Sequence, residues 1–475
     1  MPAPGPLRER LLVALAAVVA EAGSARVALA VSGGLDSALL LHLAPEALSG
    51  QRAAGQIRVL HVDHGLAAER GLWCRTVAGR ARALGLDFRA LAVSAAPPAG
   101  ESIEAWLRSE RYRLLAAELT PDEALLVAHH LDDQAETFLL QALRAAGPAG
   151  LAGMPALARL GRGWLLRPWL DVPRAWLEAV ARAEGLDWHE DPSNADTRFD
   201  RNHLRRVVMP ALGARWPAAA RTLARAARWQ AEAAQALDAA AACLLPALSD
   251  RDARGLPTLD IAALQAHAPA LQRVLLRAWL ARAGSRPAGA RHIEAILALM
   301  RAAADAPGAV CWGRMRVRRH RDRLHFDPVD GPAPAPLAAA VRWQPPSPIE
   351  LPGGRLWASL GCEGPGRLAL DDAPCWLLAR QGGERIRPSG DRHSRSLKGL
   401  LQRAGIPPWQ RALHPLVYRA GQLVAVPGLC VADRATAAPH EPGWLLHWAP
   451  GRTGGASADV VGADPGSTRL GGTGA

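Results

Sequence analysis

Val27-Ala-Leu-Ala-Val31 runs straight into Ser32-Gly33-Gly34-Leu35-Asp36-Ser37, and Ala38-Leu-Leu-Leu-His42 follows. A short apolar strand, a hydroxyl-and-glycine turn and the start of a helix are the layout of a phosphate-binding loop at a helix N-terminus. The paired glycines let backbone approach an anion closely. Ser32 and Ser37 add hydroxyl donors, and the first amides of the helix point at the same place. Asp36 is the odd member. A carboxylate beside a polyphosphate needs a bridging cation, so Asp36 is the candidate ligand for Mg²⁺.

The loop lacks the G-x-x-x-x-G-K-[ST] pattern, and no G-x-G-x-x-G follows the strand. It resembles the S-G-G-x-D-S pyrophosphate loop of the PP-loop ATPases, which assigns ATP to Ser32, Gly33, Gly34, Leu35, Asp36 and Ser37. Apolar strands alternate with helical stretches on either side. Strands are expected at 27–31, 57–62, 88–93 and 124–128, and helices at 37–43, 69–84, 102–119 and 132–143. The rhythm predicts an α/β fold with a doubly wound parallel sheet, whose ligands sit at the carboxyl ends of the strands.

The chain has 475 residues and a net charge of +12, from 56 basic and 44 acidic side chains. At about 150 residues per domain this length predicts about three domains. The basic excess points to a polyanionic partner, nucleic acid before membrane. Six scattered cysteines with no C-x-x-C read as reduced thiols, and the expected location is cytoplasmic. Leu11–Ala20 after Arg8-Glu-Arg10 suits a helix feeding the first strand better than a signal peptide. No apolar run reaches the length of a membrane span. The expected organisation is a catalytic domain over 1–215, a helical domain with a basic hairpin over 216–330, a Pro/Ala-rich linker over 331–349, a small mixed α+β domain over 350–449 and a disordered tail over 450–475. A single lysine, Lys398, stands among 55 arginines.

Several clusters carry possible chemistry. Asp132, Asp133 and Glu136 open a helix, spaced to share one face, and suit either Mg²⁺ or an ammonium substrate. Helix-terminal acids also arise for dipole reasons alone. His61, Asp63 and His64 end the second strand, where histidine can move protons. Arg111 and Arg113 share one expected helix, whose arginine face could counter phosphate charge if it lies near the ATP site. Arg198, Arg201 and Arg205 form a helical stripe suited to a phosphate backbone.

Val62-Asp-His-Gly-Leu66, Ala128-His-His-Leu-Asp-Asp-Gln-Ala-Glu-Thr137, Gly150-Leu-Ala-Gly-Met154 and Asp191-Pro-Ser-Asn194 with Arg201-Asn202 appear in that order. Gly383-Glu-Arg-Ile-Arg-Pro388, Ser396-Leu-Lys398 and Ile406-Pro-Pro-Trp409 follow. The series resembles the tRNA(Ile)-lysidine synthetases, over about residues 10–445. The resemblance implies a PP-loop (adenine nucleotide alpha hydrolase-like) catalytic domain, a helical substrate-binding domain and a C-terminal tRNA-binding domain. It implies that ATP adenylylates the first-anticodon cytidine of a tRNA(Ile) with a CAU anticodon, and that free L-lysine then displaces AMP. Its implied catalytic residues are Asp36, Asp133, Arg113 and His64, with His130 a second candidate base. Asp132, Asp133 and Glu136 are implied for lysine or Mg²⁺, and Arg201, Asn202, Arg205, Arg385, Arg387 and Lys398 for tRNA. A homodimer is left open. One departure is Arg144-Ala-Ala-Gly-Pro148, where the family has a Gly-Ser-Gly-type turn. The rivals are tRNA thiolation, which calls for paired cysteines, a glutamine-dependent synthetase, which calls for a glutaminase nucleophile, and a non-enzymatic RNA-binding protein, which predicts a damaged loop.

Overall fold

The computed structural model describes residues 3–53, 55–63, 70–94, 103–190, 195–285, 288–302, 308–329, 335–363, 366–371 and 373–451. The chain divides into two compact units, Met1–Leu237 and Asp238–Ala475.

The first unit opens with α1 (Pro4–Ala22), β1 (Arg26–Ala30), α2 (Leu35–Ala47), β2 (Ile57–Asp63), α3 (Arg70–Ala83), β3 (Asp87–Ala92), α4 (Ile103–Glu118), β4 (Glu123–Leu126) and α5 (Leu131–Leu143). A short α6 (Pro148–Leu151), β5 (Leu157–Leu160), β6 (Gly163–Leu166) and α7 (Arg174–Ala183) come next. The unit continues through α8 (Asp200–His203), a π-helical turn at Leu204–Val208, α9 (Met209–Arg215) and the first part of the long α10 (Ala219–Leu248), whose last residues belong to the second unit. The sheet order is β3-β2-β1-β4-β6-β5. All pairs are parallel except β5 with β6. Each of these expected strands and helices is present, with its ends within four residues of those expected.

The strand order reverses at β1. Its neighbours are β2 on one side and β4 on the other, so the crevice at their carboxyl ends is the topological switch point where such sheets bind ligands. The chain leaving β1 is the Ser32–Ser37 loop, and the chain leaving β4 is His129–Asp133. The apolar stretch near the N-terminus is a core helix: Leu7, Leu11 and Leu15, four residues apart, are fully buried. Trp169, also fully buried, donates from Nε1 to the Leu11 carbonyl at 3.3 Å.

The second unit holds β7 (Ser249–Arg251), β8 (Pro257–Asp260), α11 (Ile261–Gln265), α12 (Pro269–Arg282), α13 (Ala290–Arg301), β9 (Ala309–Trp312), β10 (Met315–His320) and β11 (Arg323–Pro328). These strands form one sheet, β7-β8-β11-β10-β9. The 216–300 stretch, where periodicity predicted helices, thus also contains two short strands, β7 and β8. The expected basic hairpin is present: β10 pairs antiparallel with β11 from Met315–Pro328 to His320–Arg323. Next come β12 (Val341–Trp343), β13 (Ile349–Leu351), β14 (Gly354–Gly361), β15 (Leu368–Ala369), β16 (Cys375–Leu378), β17 (Arg385–Ile386), β18 (Arg395–Ser396), α14 (Leu397–Arg403), α15 (Pro408–Arg411), β19 (Leu416–Arg419), β20 (Gln422–Val426), β21 (Cys430–Val431) and β22 (Gly443–Pro450). They build antiparallel sheets ordered β12-β16-β19-β20-β21 and β13-β14-β22-β15. The stretch expected as a linker thus supplies an edge strand, β12, whose Trp343 is buried in that core. Most of the tail, 452–475, lies outside the described residues. Among the described residues, α10 alone has the length and composition of a membrane-crossing helix, at mean hydropathy 1.2. It carries Arg221, Arg225 and Arg228 in its first half.

Gly163 starts β6 where no side chain fits: a Cβ there would lie 2.4 Å from the Glu123 carbonyl and 3.0 Å from the Thr120 carbonyl. Gly163→Ala is expected to lower stability by about 1–3 kcal/mol, read as a reduced urea midpoint. An unchanged midpoint would show that β4 and β6 are not this closely apposed.

Candidate active site

The loop is held by its own last residue. Ser37 Oγ accepts the amides of Ser32 and Gly33, each at 3.2 Å, lies 3.1 Å from Ser32 Oγ and donates to the Gly34 carbonyl at 3.0 Å. Gly33 has φ +95°, a conformation open to glycine, and its carbonyl accepts the His189 amide at 3.0 Å. Gly34 caps α2 with no side-chain hydrogen bond. The first-turn amides of α2 therefore face the loop, where a helix N-terminus attracts an anion.

Asp36 sits in that first turn. Its Oδ2 is 3.7 Å from His130 Nε2, and its Oδ1 is 3.8 Å from Arg174 Nε. Oδ1 is buried and accepts no hydrogen bond. Burial pushes the Asp36 carboxyl above its usual range, outweighing the opposing pull of His130 and Arg174.

Across the switch point, α5 opens with a reciprocal cap. The Asp133 amide donates to His130 Nδ1 at 3.3 Å, and the His130 amide donates to Asp133 Oδ2 at 3.0 Å. With Nδ1 accepting, the neutral tautomer carries its proton on Nε2, which faces Asp36 and lies 3.3 Å from Asp133 Oδ2. His130 thus has no free lone pair for a substrate proton, and the structure makes it a cap instead of the base the sequence suggested. Asp132 Oδ2 accepts the Arg174 amide at 2.9 Å, tying the start of α7 to the same edge.

Asp133 and Glu136 point into one buried ion-pair cluster with Arg201 and Arg205. Arg201 reaches Asp133 Oδ1 at 3.0 Å and Glu136 Oε2 at 2.9 Å. Arg205 reaches Asp133 Oδ1 at 2.9 Å and Glu136 Oε1 at 2.7 Å. The Glu136 side chain is 2% exposed. Burial would raise Asp133, but its neighbours His130, Arg201, His129 and Arg205 together hold it well below the carboxylate range. Glu136 and Asp133 in turn hold Arg205 above its usual value, although burial opposes this. The basic stripe expected to face tRNA is therefore turned inward at Arg201 and Arg205. Asn202 donates to the Asp196 carbonyl at 3.0 Å, and Arg198 remains exposed, paired with Asp196 at 2.7 Å.

Other expected residues are distributed as follows. Arg113 is exposed and paired with Glu110 at 2.8 Å, away from the cluster. Arg111 is the member of α4 turned inward, its guanidinium 5.4 Å from the Tyr112 ring centroid. Burial and the nearby charges of Arg108 and Arg201 lower its pKa. His61 is buried and donates from Nδ1 to the Val31 carbonyl at 2.8 Å, bracing the loop. His64 and Asp191–Asn194 lie outside the described residues. In Arg144-Ala-Ala-Gly-Pro148, Ala145 has φ 52° and Pro148 begins α6. The Gly150–Met154 motif is clamped by Gln134, whose amide bonds Met154 N and O at 2.7 Å each. In the second unit Lys398 is exposed on α14, Arg385 donates to the Ser394 carbonyl at 2.8 Å, and Arg387 pairs with Asp433. Arg174, which meets both Asp36 and Asp132, was missed from sequence because Pro173-Arg174 matches no motif.

A parallel sheet with this loop at its switch point defines an ATP-binding protein of the PP-loop class. A PP-loop domain model matches residues 7–212, a TilS substrate binding domain 259–325 and a TilS substrate C-terminal domain 377–448. The tRNA(Ile)-lysidine synthase of Methylococcus capsulatus is 40% identical over 431 residues, which cover 89% of this chain and 95% of that protein. That of Pseudomonas aeruginosa is 42% identical over 452 residues, covering 94% and 97%. That of Ralstonia nicotianae is 42% identical over 458 residues, covering 92% and 96%. The chain belongs to the tRNA(Ile)-lysidine synthase family of ATP-using, tRNA-modifying ligases.

Two stability tests follow. Glu136→Gln leaves two guanidinium groups without half of their partners and is expected to cost about 3 kcal/mol, read from urea unfolding. Asp36→Asn removes a charge that burial disfavours. It is expected to raise the stability of the ligand-free protein at pH 7, with the gain shrinking as pH falls toward about 4, where the unfolded-state aspartate protonates. A loss of stability for Asp36→Asn at pH 7 would contradict this account of Asp36.

Proposed function

We propose that this chain ligates free L-lysine to carbon 2 of the first-anticodon cytidine of a tRNA(Ile) with a CAU anticodon, consuming ATP in two steps. In the first, the cytidine 2-oxygen attacks the α-phosphorus, an O–P bond forms, and pyrophosphate leaves. In the second, the lysine ε-nitrogen attacks carbon 2 and gives up its proton, and AMP departs with the former 2-oxygen. The supporting observation is the pairing of the Ser32–Ser37 loop with the Asp36–His130–Asp133–Glu136 edge across one switch point. The chain's two further domains match those of its relatives.

An oxygen of pyrophosphate entering the loop would replace Ser37 Oγ as the acceptor of the Ser32 and Gly33 amides. Gly34, Leu35 and the α2 amides would bind the same group. Asp36 suits a Mg²⁺ site, because its Oδ1 makes no hydrogen bond; Mg²⁺ commonly takes one or two carboxylates plus phosphates. The ion would supply charge neutralisation on the phosphate oxygens. Arg111, better turned than Arg113, and Arg174 would counter charge on the departing group.

Asp132, Asp133 and Glu136 offer carboxylates to the lysine ammonium. An ammonium at Asp133 or Glu136 would compete with Arg201 and Arg205, freeing those guanidiniums for phosphate. With His130 used as a cap, His64 is the remaining candidate base. Arg385, Arg387 and Lys398 would hold tRNA through its backbone. The enzyme would act in the cytoplasm, where tRNA, ATP and lysine meet.

Labelled lysine supplied with ATP is expected to enter tRNA(Ile) bearing CAU, and not the methionine tRNA with the same anticodon. Equal transfer to both, or none, would refute the proposal. Lys398→Ala is expected to weaken tRNA binding by about threefold to tenfold with ATP binding intact. Unchanged tRNA affinity would remove Lys398 from the interface.

A further inference from the structure

The second unit contains a cavity of about 300 Å³ between the basic hairpin and the C-terminal sheets. That is near the lower end for small-ligand sites, ~300–1,000 Å³. Arg254, Arg316, Arg318, Trp409, Gln410 and Trp448 are among the residues that line it. We propose that this cavity is a second nucleotide site, taking one nucleotide unit with its phosphate on Arg316 and Arg318 and its base against the indole wall.

The first argument is an excess of donors. Arg316 Nε, Arg318 Nε, Trp409 Nε1 and Gln410 Nε2 are all buried and make no hydrogen bond. Native interiors pair such groups, and four unpaired donors on residues that line one cavity suit an acceptor-rich ligand that draws them toward it. A phosphate offers several acceptor oxygens, and arginine is the side chain best shaped to meet them.

The second argument is charge. Three guanidinium groups share two carboxylates. Arg254 pairs with Asp252 and Asp327 at 2.8 Å each, Arg318 pairs with Asp327, and Arg316 stands 3.6 Å from Asp327. Asp327 is fully buried. One positive charge is left over beside a fully buried carboxylate. Consistent with this, burial, Arg316 and Arg254 together push Arg318 down to about 9. A bound anion would relieve that repulsion.

The third argument is the aromatic wall. Arg318 stacks 3.9 Å from the Trp409 ring centroid, and His414 lies 5.7 Å from Trp448. Burial holds His414 down to about 4, so it is neutral and adds to the apolar surface. A guanidinium stacked on an indole beside unpaired donors presents both halves of a nucleotide with a partner.

The nucleotide has two sources, a residue of the tRNA or free AMP, the proposed product. The tRNA arm of the test rests on the substrate reading above and the AMP arm does not. Full-length parent, Arg316→Gln, Gln410→Ala, Trp409→Leu and Trp409→Phe are compared, each first shown to keep the parent's melting transition. Equilibrium dialysis with labelled AMP is expected to give two equivalents per parent chain and one per Arg316→Gln or Gln410→Ala chain if the source is free nucleotide. If the source is tRNA, AMP binds once throughout, and tRNA affinity falls about tenfold in Arg316→Gln and Trp409→Leu but is retained in Trp409→Phe. Parent-like binding of both ligands by every variant overturns the site. So does weakening of tRNA by Arg316→Gln alone, since that marks only a backbone contact. Labelled-lysine transfer by the parent is scored separately, so loss of this site leaves the proposed reaction standing.

Discussion

Two carboxylates on one turn of α5, Asp133 and Glu136, are buried at the edge of the parallel sheet and must be neutralised there. Arg201 and Arg205, some 65 to 72 residues further along the chain, do so through four contacts of 2.7–3.0 Å. Much of the site depends on this cluster. It draws the α8 and π-helical segment against α5. It also fixes the helix N-terminus whose His130 faces Asp36, and so sets the distance across the crevice between the two strand ends. Removing either partner would leave charge buried without compensation, which is the expensive case for interior ion pairs.

Asp36 is the complement of that cluster. Its carboxyl is largely buried at a helix N-terminus, 3.7 Å from the His130 ring and 3.8 Å from the Arg174 guanidinium, with one oxygen making no hydrogen bond. The fold spends stability on this group, because burial raises it while neighbours only partly offset the cost. The arrangement suits a residue whose partner arrives with the substrate. The loop follows the same logic. Ser37 Oγ occupies the acceptor position for the Ser32 and Gly33 amides and can yield it to a phosphate oxygen.

Much of the catalytic unit was legible in sequence, because apolar strands of fixed length and a distinctive Ser-Gly-Gly loop are local signals. What periodicity cannot tell is which way a charged face turns. Arg201 and Arg205 have the spacing of a solvent-facing stripe, and only the burial of Asp133 and Glu136 turns them inward. Arg111 and Arg113 are two residues apart on one helix, hence on nearly opposite faces, and one packs beside Tyr112 while the other pairs with Glu110 in solvent. His130 and Asp133 are spaced as a capping pair, a signal present in the sequence that proton chemistry obscured. In the second unit, short strands such as β7 and β8 interrupt an Ala/Leu/Arg-rich stretch whose composition favours helix. Strand β12 is formed by residues that read as linker, because its partner β16 lies more than 30 residues away.

The proposed reaction requires cleavage of ATP between its α and β phosphates with a tRNA base as acceptor. Incubating the protein with tRNA(Ile) and ATP labelled at the α-phosphate, with lysine omitted, tests it most directly. The account predicts label on the tRNA and release of pyrophosphate. Label recovered as ADP, with inorganic phosphate released and none on the tRNA, would contradict it.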